Sequence, residues 1–137
     1  MYNYVTKQKH TKEGILNEEL ALKKLLIYMK SVYKIQKIYG LHLKSVILYG
    51  SYTQGDFTKD SDVDIMILVD LSDEEIEKYS DELAEIGFDY NVAYGIWMMP
   101  VVRNQEHFRH WGRAYSFYKN VQKEGIKLYE ADSNGYR

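Results

Sequence analysis

Two short stretches of this chain hold residue types that could do chemistry together. One is Gly50-Ser51; the other, ten residues later, is Asp62-Val63-Asp64. In a strand, side chains alternate between faces, so Asp62 and Asp64 point the same way. Their Cα atoms would lie about 6.6 Å apart at a rise of roughly 3.3 Å per residue. The run that follows, Ile65-Met66-Ile67-Leu68-Val69, is wholly apolar. Two carboxylates on one face of a buried strand repel each other and lose solvation. A cation relieves both costs, and ligands made only of oxygen suit a hard ion such as Mg²⁺. Glycine at a strand end lets another group approach the backbone closely. The amides after it, with the Ser51 hydroxyl, can hold phosphate oxygens. Two divalent ions about 3.5–4 Å apart would polarise a phosphorus and stabilise the entering and leaving oxygens. Together these parts would serve nucleotidyl transfer from a nucleoside triphosphate. Either motif alone is usually structural; it is the combination, each half at the edge of a buried strand, that points to a site.

The elements that must position these residues are legible in outline. Asn17, followed by Glu18 and Glu19, reads as a helix start. Apolar residues at Leu20, Ala21, Leu25, Tyr28, Met29, Val32, Ile35 and Ile38 then follow at helical spacing, and Gly40 can stop the helix. Residues 45–49 read as a buried strand, 51–61 as a loop and 62–69 as a second buried strand. Ser72 with Glu75 forms a capping box that opens an acidic helix expected to end near Gly87. Residues 91–102 read as a third strand, with Pro100 confining its far end to an edge or an irregular position. Asn104 starts another helical region, 116–124 is a helix stopped by Gly125, and 126–129 adds a short strand. The alternating order predicts an α/β (α+β) fold, a small mixed sheet of three to four strands flanked by helices.

Composition bounds the rest. With 137 residues, a single domain over 1–137 is expected. Apolar residues are 45% and charged residues 28%, the balance of an ordinary globular protein. The absence of cysteine excludes disulfides and thiol nucleophiles. No apolar run is long enough to cross a bilayer and no signal peptide is evident, so no membrane and a cytoplasmic location are expected. Residues 1–50 carry nine Lys against three Glu, 51–95 two Lys against 13 acids, and 96–137 seven basic against four acidic residues. An acidic middle between basic flanks is not a strong nucleic-acid surface. His107, Arg109, His110 and Arg113 could touch phosphate, but read more simply as a basic surface helix. Trp97, Met98 and Met99 read as strand core before they read as an adenine platform.

Gly50-Ser51, ten residues, then Asp62-x-Asp64 resembles the signature of the polymerase-β-like nucleotidyltransferase superfamily. The likeness is closest to its minimal single-domain members, the MNT antitoxins of HEPN/MNT toxin–antitoxin pairs. It covers nearly the whole chain: the leading helix, Tyr49 to Asp70, a strand expected near Tyr90, and the closing Phe117-Tyr118-Lys119-Asn120-Val121-x-x-Glu124-Gly125-Ile126-x-Leu128-Tyr129. The resemblance implies the nucleotidyltransferase fold, with Gly50 and Ser51 binding the triphosphate and Asp62 and Asp64 as catalytic metal ligands. It implies two Mg²⁺ ions, ATP as substrate, and a small helical HEPN-type partner whose tyrosine receives AMP; an oligomer is compatible with it. Two departures stand out. Gln54 occupies a position where many relatives carry a basic residue. The third acid that relatives carry on the third strand falls at Asn91, with Asp89 either substituting as ligand and base or serving only as a turn residue. Two other functions remain open: a non-catalytic nucleotide-binding antitoxin that acts by contact, and a small-molecule nucleotidyltransferase completed by a separate subunit.

Overall fold

The computed structural model describes residues 12–50 and 63–132. Two compact units divide the chain, 1–31 and 32–137, and helix α1 (Lys12–Tyr39) runs through the division. The helix begins upstream of Asn17, against the expected start there. An Asn inside a helix costs only about 0.7 kcal/mol or less, and the periodic apolar residues downstream outweigh it. In the first unit Ser31 Oγ donates to the Tyr28 carbonyl at 2.6 Å, the back-bonding typical of a serine inside a helix.

The second unit is built on a four-stranded mixed sheet in the order β3-β2-β1-β4. A 3₁₀ turn at Gly40–His42 leads into β1 (Leu43–Tyr49), which pairs antiparallel with β2 (Val63–Val69). Strand β3 (Met98–Asn104) lies parallel to β2 on one edge, and β4 (Ile126–Glu130) lies antiparallel to β1 on the other. The far end of the β1–β2 ladder is tied by polar groups. The Asp70 amide donates to the His42 carbonyl at 3.1 Å, and its carboxylate meets His42 Nδ1 at 2.7 Å. The expected mixed sheet flanked by helices is the fold observed.

Paired residues share a face, so the register sorts the sheet into two sides. Val63, Ile65, Ile67 and Val69 occupy one side with Val46 and Leu48, all essentially inaccessible to solvent. The other side carries Asp64, Met66 and Leu68 beside Tyr49, Ile47 and Ser45. Here Ile47, Met66 and Leu68 form a core cluster with Phe108 and Val121. Those two residues come from helices α4 (Gln105–Trp111) and α5 (Ser116–Glu124). Both helices form where the sequence places them. Asn104 caps α4, its side chain accepting from the amides of Glu106 and His107 at 2.9 and 3.1 Å. Gly125 ends α5, and a Cβ there would collide with Ile47 and with the Val121 carbonyl. That glycine is therefore what lets the helix end press onto the sheet.

The acidic segment corrects the expectation at three points. The Ser72–Glu75 capping box is present, but its helix α2 spans only Asp73–Glu77. Its last turn tightens through bonds from Lys78 and Tyr79 to carbonyls three residues back, and the Ser80 hydroxyl bonds the Glu77 carbonyl at 2.8 Å. A second helix, α3 (Ser80–Tyr94), then runs straight through Gly87. Its stop is Gly95, at φ +68°, whose amide bonds the Asn91 carbonyl at 2.8 Å. Asp89 and Asn91 therefore lie on a helix and not on the third strand, which begins only at Met98. The signal was Leu83, Ile86 and Tyr90, buried at spacings of three and four. The edge position expected for Pro100 is observed.

Tyr39 is 2% exposed, and its hydroxyl has no hydrogen-bond partner among the described residues. Burial, and then the charge of Glu82, push its pKa up to about 12. An unpaired buried hydroxyl costs about 1–3 kcal/mol, so Tyr39→Phe should raise stability by about 1 kcal/mol in urea denaturation at pH 7. The neutral phenol is the favoured folded form, so its contribution is complete below the unfolded value near 10. It is lost as pH rises through about 12. The alkaline decline of the wild type in that window should be shallower in Tyr39→Phe, and equal slopes would refute this account.

Candidate active site

The site grows from the ends of β1 and β2. Tyr49, the last residue of β1, pairs with Asp64. The chain then turns at Gly50, where φ is +85°. This is a conformation that side-chain-bearing residues rarely adopt. A Cβ on Gly50 would collide with the Asp64 carboxylate. Thus glycine is required at this position twice, once by its backbone and once by the close approach of an acid. Ser51 and Asp62, the other halves of the two motifs, lie outside the described residues, as do Gln54 and the loop expected over 51–61.

Gly50 and Asp64 open into a cavity of about 390 Å³ whose other walls are Tyr49, Phe117, Asn120, Val121 and Glu124. Four of these come from one stripe of α5, at positions i, i+3, i+4 and i+7. The Tyr49 and Phe117 rings meet edge to face at 5.6 Å. Burial raises the Tyr49 pKa, the neighbouring Asp64 charge raises it further, and Arg103 works in the opposite direction. Tyr49 is consequently held as a neutral phenol beside the carboxylate. A larger cavity of about 650 Å³ lies between α3 and β3, lined by Phe88, Trp97 and Met99 among others; neither Gly50 nor Asp64 belongs to it.

The third acid of the sequence reading is not on the sheet. Strand β3, Met98-Met99-Pro100-Val101-Val102-Arg103-Asn104, carries no carboxylate. The residue directly beside Asp64 on it is Met99. Asp89 is exposed on α3, and neither it nor Asn91 lines the cavity. The physical reason is the helical continuation to Gly95, which delays the strand until Met98. Asn120 and Glu124 also line the cavity, although the sequence reading assigns their segment only to a closing helix. Their i, i+4 spacing, one turn beyond Phe117, was the available signal.

The donors on the cavity wall are oxygens: the Asp64 and Glu124 carboxylates and the Asn120 amide carbonyl. That set fits a hard divalent cation and offers nothing to a soft one. Among the described residues no three His, Cys, Asp or Glu side chains group as a metal site. Asp62 lies outside that set. His107, Arg109, His110 and Arg113 fall on α4 and the turn after it, where Glu106, Arg109, His110 and Arg113 border a separate depression.

Gly50→Ala tests the geometry. It should cost about 1–3 kcal/mol in urea denaturation, because alanine resists φ near +85°. It should also abolish any rise in melting temperature caused by ATP with Mg²⁺, since the Asp64 carboxylate must move aside. A variant as stable and as responsive as wild type would show that this turn does not shape the site.

The sequence and the fold match known proteins. The family model for the nucleotidyltransferase domain aligns with residues 22–128. A Methanocaldococcus jannaschii protein named "Putative protein adenylyltransferase MJ0604" is 32% identical over 117 residues, covering 83% of this chain and 100% of that protein. A second, "Putative protein adenylyltransferase MJ0141" of the same organism, is 37% identical over 86 residues, covering 63% of this chain and 79% of its own length. Among solved structures, a chain of a toxin–antitoxin crystal structure with AMP-PNP superposes with a TM-score of 0.50 at 19% identity, over 78% of this chain and 77% of that one. A mutant form of the toxin–antitoxin MntA–HpeT gives 0.51 at 17% identity, with the same coverage. A match over most of its length, on a fold that seats Gly50 against Asp64, establishes that the chain belongs to the nucleotidyltransferase domain family.

Proposed function

We propose that this chain is an antitoxin that transfers AMP from ATP to a tyrosine hydroxyl of a small helical, HEPN-type toxin. The observation that carries this reading is the close approach of Gly50 to Asp64 on the wall of a cavity, in a chain similar along most of its length to a protein named as a protein adenylyltransferase. The toxin–antitoxin setting of the structural neighbours supports the choice of partner. The reading takes 1–137 as one nucleotidyltransferase domain.

In the reaction, the acceptor oxygen attacks the α-phosphorus of ATP. The new P–O bond joins AMP to tyrosine, the bond to the β-phosphate oxygen breaks, and pyrophosphate leaves. The acceptor proton passes to a base or to solvent. Gly50 and Ser51 would face the triphosphate, the glycine because no side chain stands in the way. Asp62 and Asp64 would hold Mg²⁺. When bound, divalent ions neutralise triphosphate charge and favour the hydroxyl's ionised form. The chain otherwise contributes positioning, with the acceptor supplied by the partner.

The absence of a carboxylate on β3 favours one rival, an antitoxin that binds nucleotide but acts by contact alone. A single experiment separates the two. The chain is co-purified with the product of the adjacent gene and incubated with ATP and Mg²⁺, and the intact mass of each protein is measured. The proposal expects a gain of one or more AMP units on a partner tyrosine. Asp64→Asn should slow that gain by about 10²-fold or more. Neutralisation of the partner without any mass gain would establish the contact mode instead. Efficient labelling of an aminoglycoside by the isolated chain, with no protein labelled, would overturn both.

ATP with Mg²⁺ should also stabilise the chain, by about 2.7 kcal/mol at a ligand concentration 100 times Kd. Differential scanning fluorimetry should register this in the wild type and not in Asp64→Asn. Equal responses would place the nucleotide elsewhere.

A further inference from the structure

Strand β3 offers only Met99 beside Asp64, and the helical placement of Asp89 and Asn91 removes both from the sheet. Yet the cavity that holds Asp64 has a second carboxylate on its wall, Glu124. We propose that Glu124 is the third acid of this active site, delivered by helix α5 in place of the strand. The inference rests on the functional reading above.

Three features of the fold point to it. Glu124 shares its helix stripe with Phe117, Asn120 and Val121, and Val121 is anchored in the core cluster with Ile47 and Met66. The direction of that stripe is therefore fixed by packing. Gly125 follows immediately, and its missing side chain lets the end of α5 approach Ile47 on the site side of the sheet. Glu124 is thus held one residue from a close approach of the helix to the sheet. Finally, Glu124 is the last residue of α5. Helix carbonyls already make that end negative, and an acid there is electrostatically unfavourable on its own. With Asp64 on the facing wall, the cavity gathers negative charge at one place. A divalent cation would add to whatever partners the two carboxylates already have, with Glu124 and Asp64 as its ligands on one cavity. As the carboxylate on the helix side, Glu124 is also placed to accept the proton of an entering hydroxyl.

The test uses the full chain with Mn²⁺ as probe, titrated in the presence of a non-hydrolysable ATP analogue and followed by electron paramagnetic resonance. Loss of one unit charge from a cation site should weaken Mn²⁺ by about tenfold or more in Glu124→Gln. Glu124→Asp should recover part of the loss, because charge returns on a shorter side chain. Asp89→Asn should bind as the wild type does. Circular dichroism melting of each variant without metal separates a binding loss from a folding loss. A Glu124→Gln protein that is folded and binds Mn²⁺ as tightly as wild type would overturn the inference, while Asp64→Asn losing Mn²⁺ in the same assay would leave the nucleotidyltransferase site standing. A loss in Asp89→Asn equal to that in Glu124→Gln would likewise overturn it. If the wild type binds no Mn²⁺ with the analogue, both this inference and the metal assignment behind it fall.

Discussion

The close approach of the Gly50 backbone to the Asp64 carboxylate is the constraint on which the rest of the site depends. A turn with a side chain could not occupy that space. The contact exists only because β1 and β2 run antiparallel in a register that sets Tyr49 opposite Asp64. That register is in turn held by two sets of forces. Apolar residues alternate into both faces of the sheet, so a one-residue slip would move a whole set to the wrong side. At the other end, His42, Lys44 and Asp70 join the strands, with contacts at 2.7 and 3.5 Å. Surface ion pairs of this kind add little stability. Their value here is geometric, since they mark the correct register.

The two faces of the sheet divide the labour. Val63, Ile65, Ile67 and Val69 on one side are fully apolar and almost completely buried. Burial of such a side chain contributes about 1.5–3 kcal/mol. Asp64, by contrast, sits at the rim of the face that α4 and α5 cover, where the packed cluster of Ile47, Met66, Leu68, Phe108 and Val121 gives way to the cavity. An acid is tolerable there because the helices close over the middle of the face and leave its end open. Stability and chemistry are thus drawn from the same strand by alternation, with neither compromising the other.

Much of this was legible in the sequence, and the failures have physical causes. Strands β1 and β2 announce themselves by continuous β-branched and aliphatic runs. The Asn104 cap, the 116–124 helix and the Gly125 stop follow from local chemistry that tertiary packing does not override. The third strand was misplaced because Gly87 and Gly95 carry the same local signal. Only Gly95 adopts the left-handed conformation that ends the helix, and tertiary packing decides which glycine does so. Leu83, Ile86 and Tyr90 settle the matter, since their buried stripe bridges Gly87. The closeness of Gly50 to Asp64 could be read from spacing because they belong to adjacent strands joined by one loop. Asn120 and Glu124 could not, because Glu124 lies 60 positions beyond Asp64, and nothing local says that α5 folds back over the strand ends.

That fold-back also explains how a helix distant in sequence comes to shape the cavity beside Asp64. The wall opposite Asp64 is supplied by the closing helix, whose Phe117 meets Tyr49 edge to face and whose Val121 enters the core. Packing of these two residues fixes the rotation of α5 about its axis. Once the rotation is fixed, Asn120 and Glu124 must face the cavity, because they lie on the same stripe at i+3 and i+7 from Phe117. Strand β4 holds the helix end in place by pairing with β1, which also carries Tyr49 and leads into Gly50. Every wall of the site is therefore anchored to β1, directly or through one neighbour. A site assembled in this way draws its sheet side and its helix side from one scaffold.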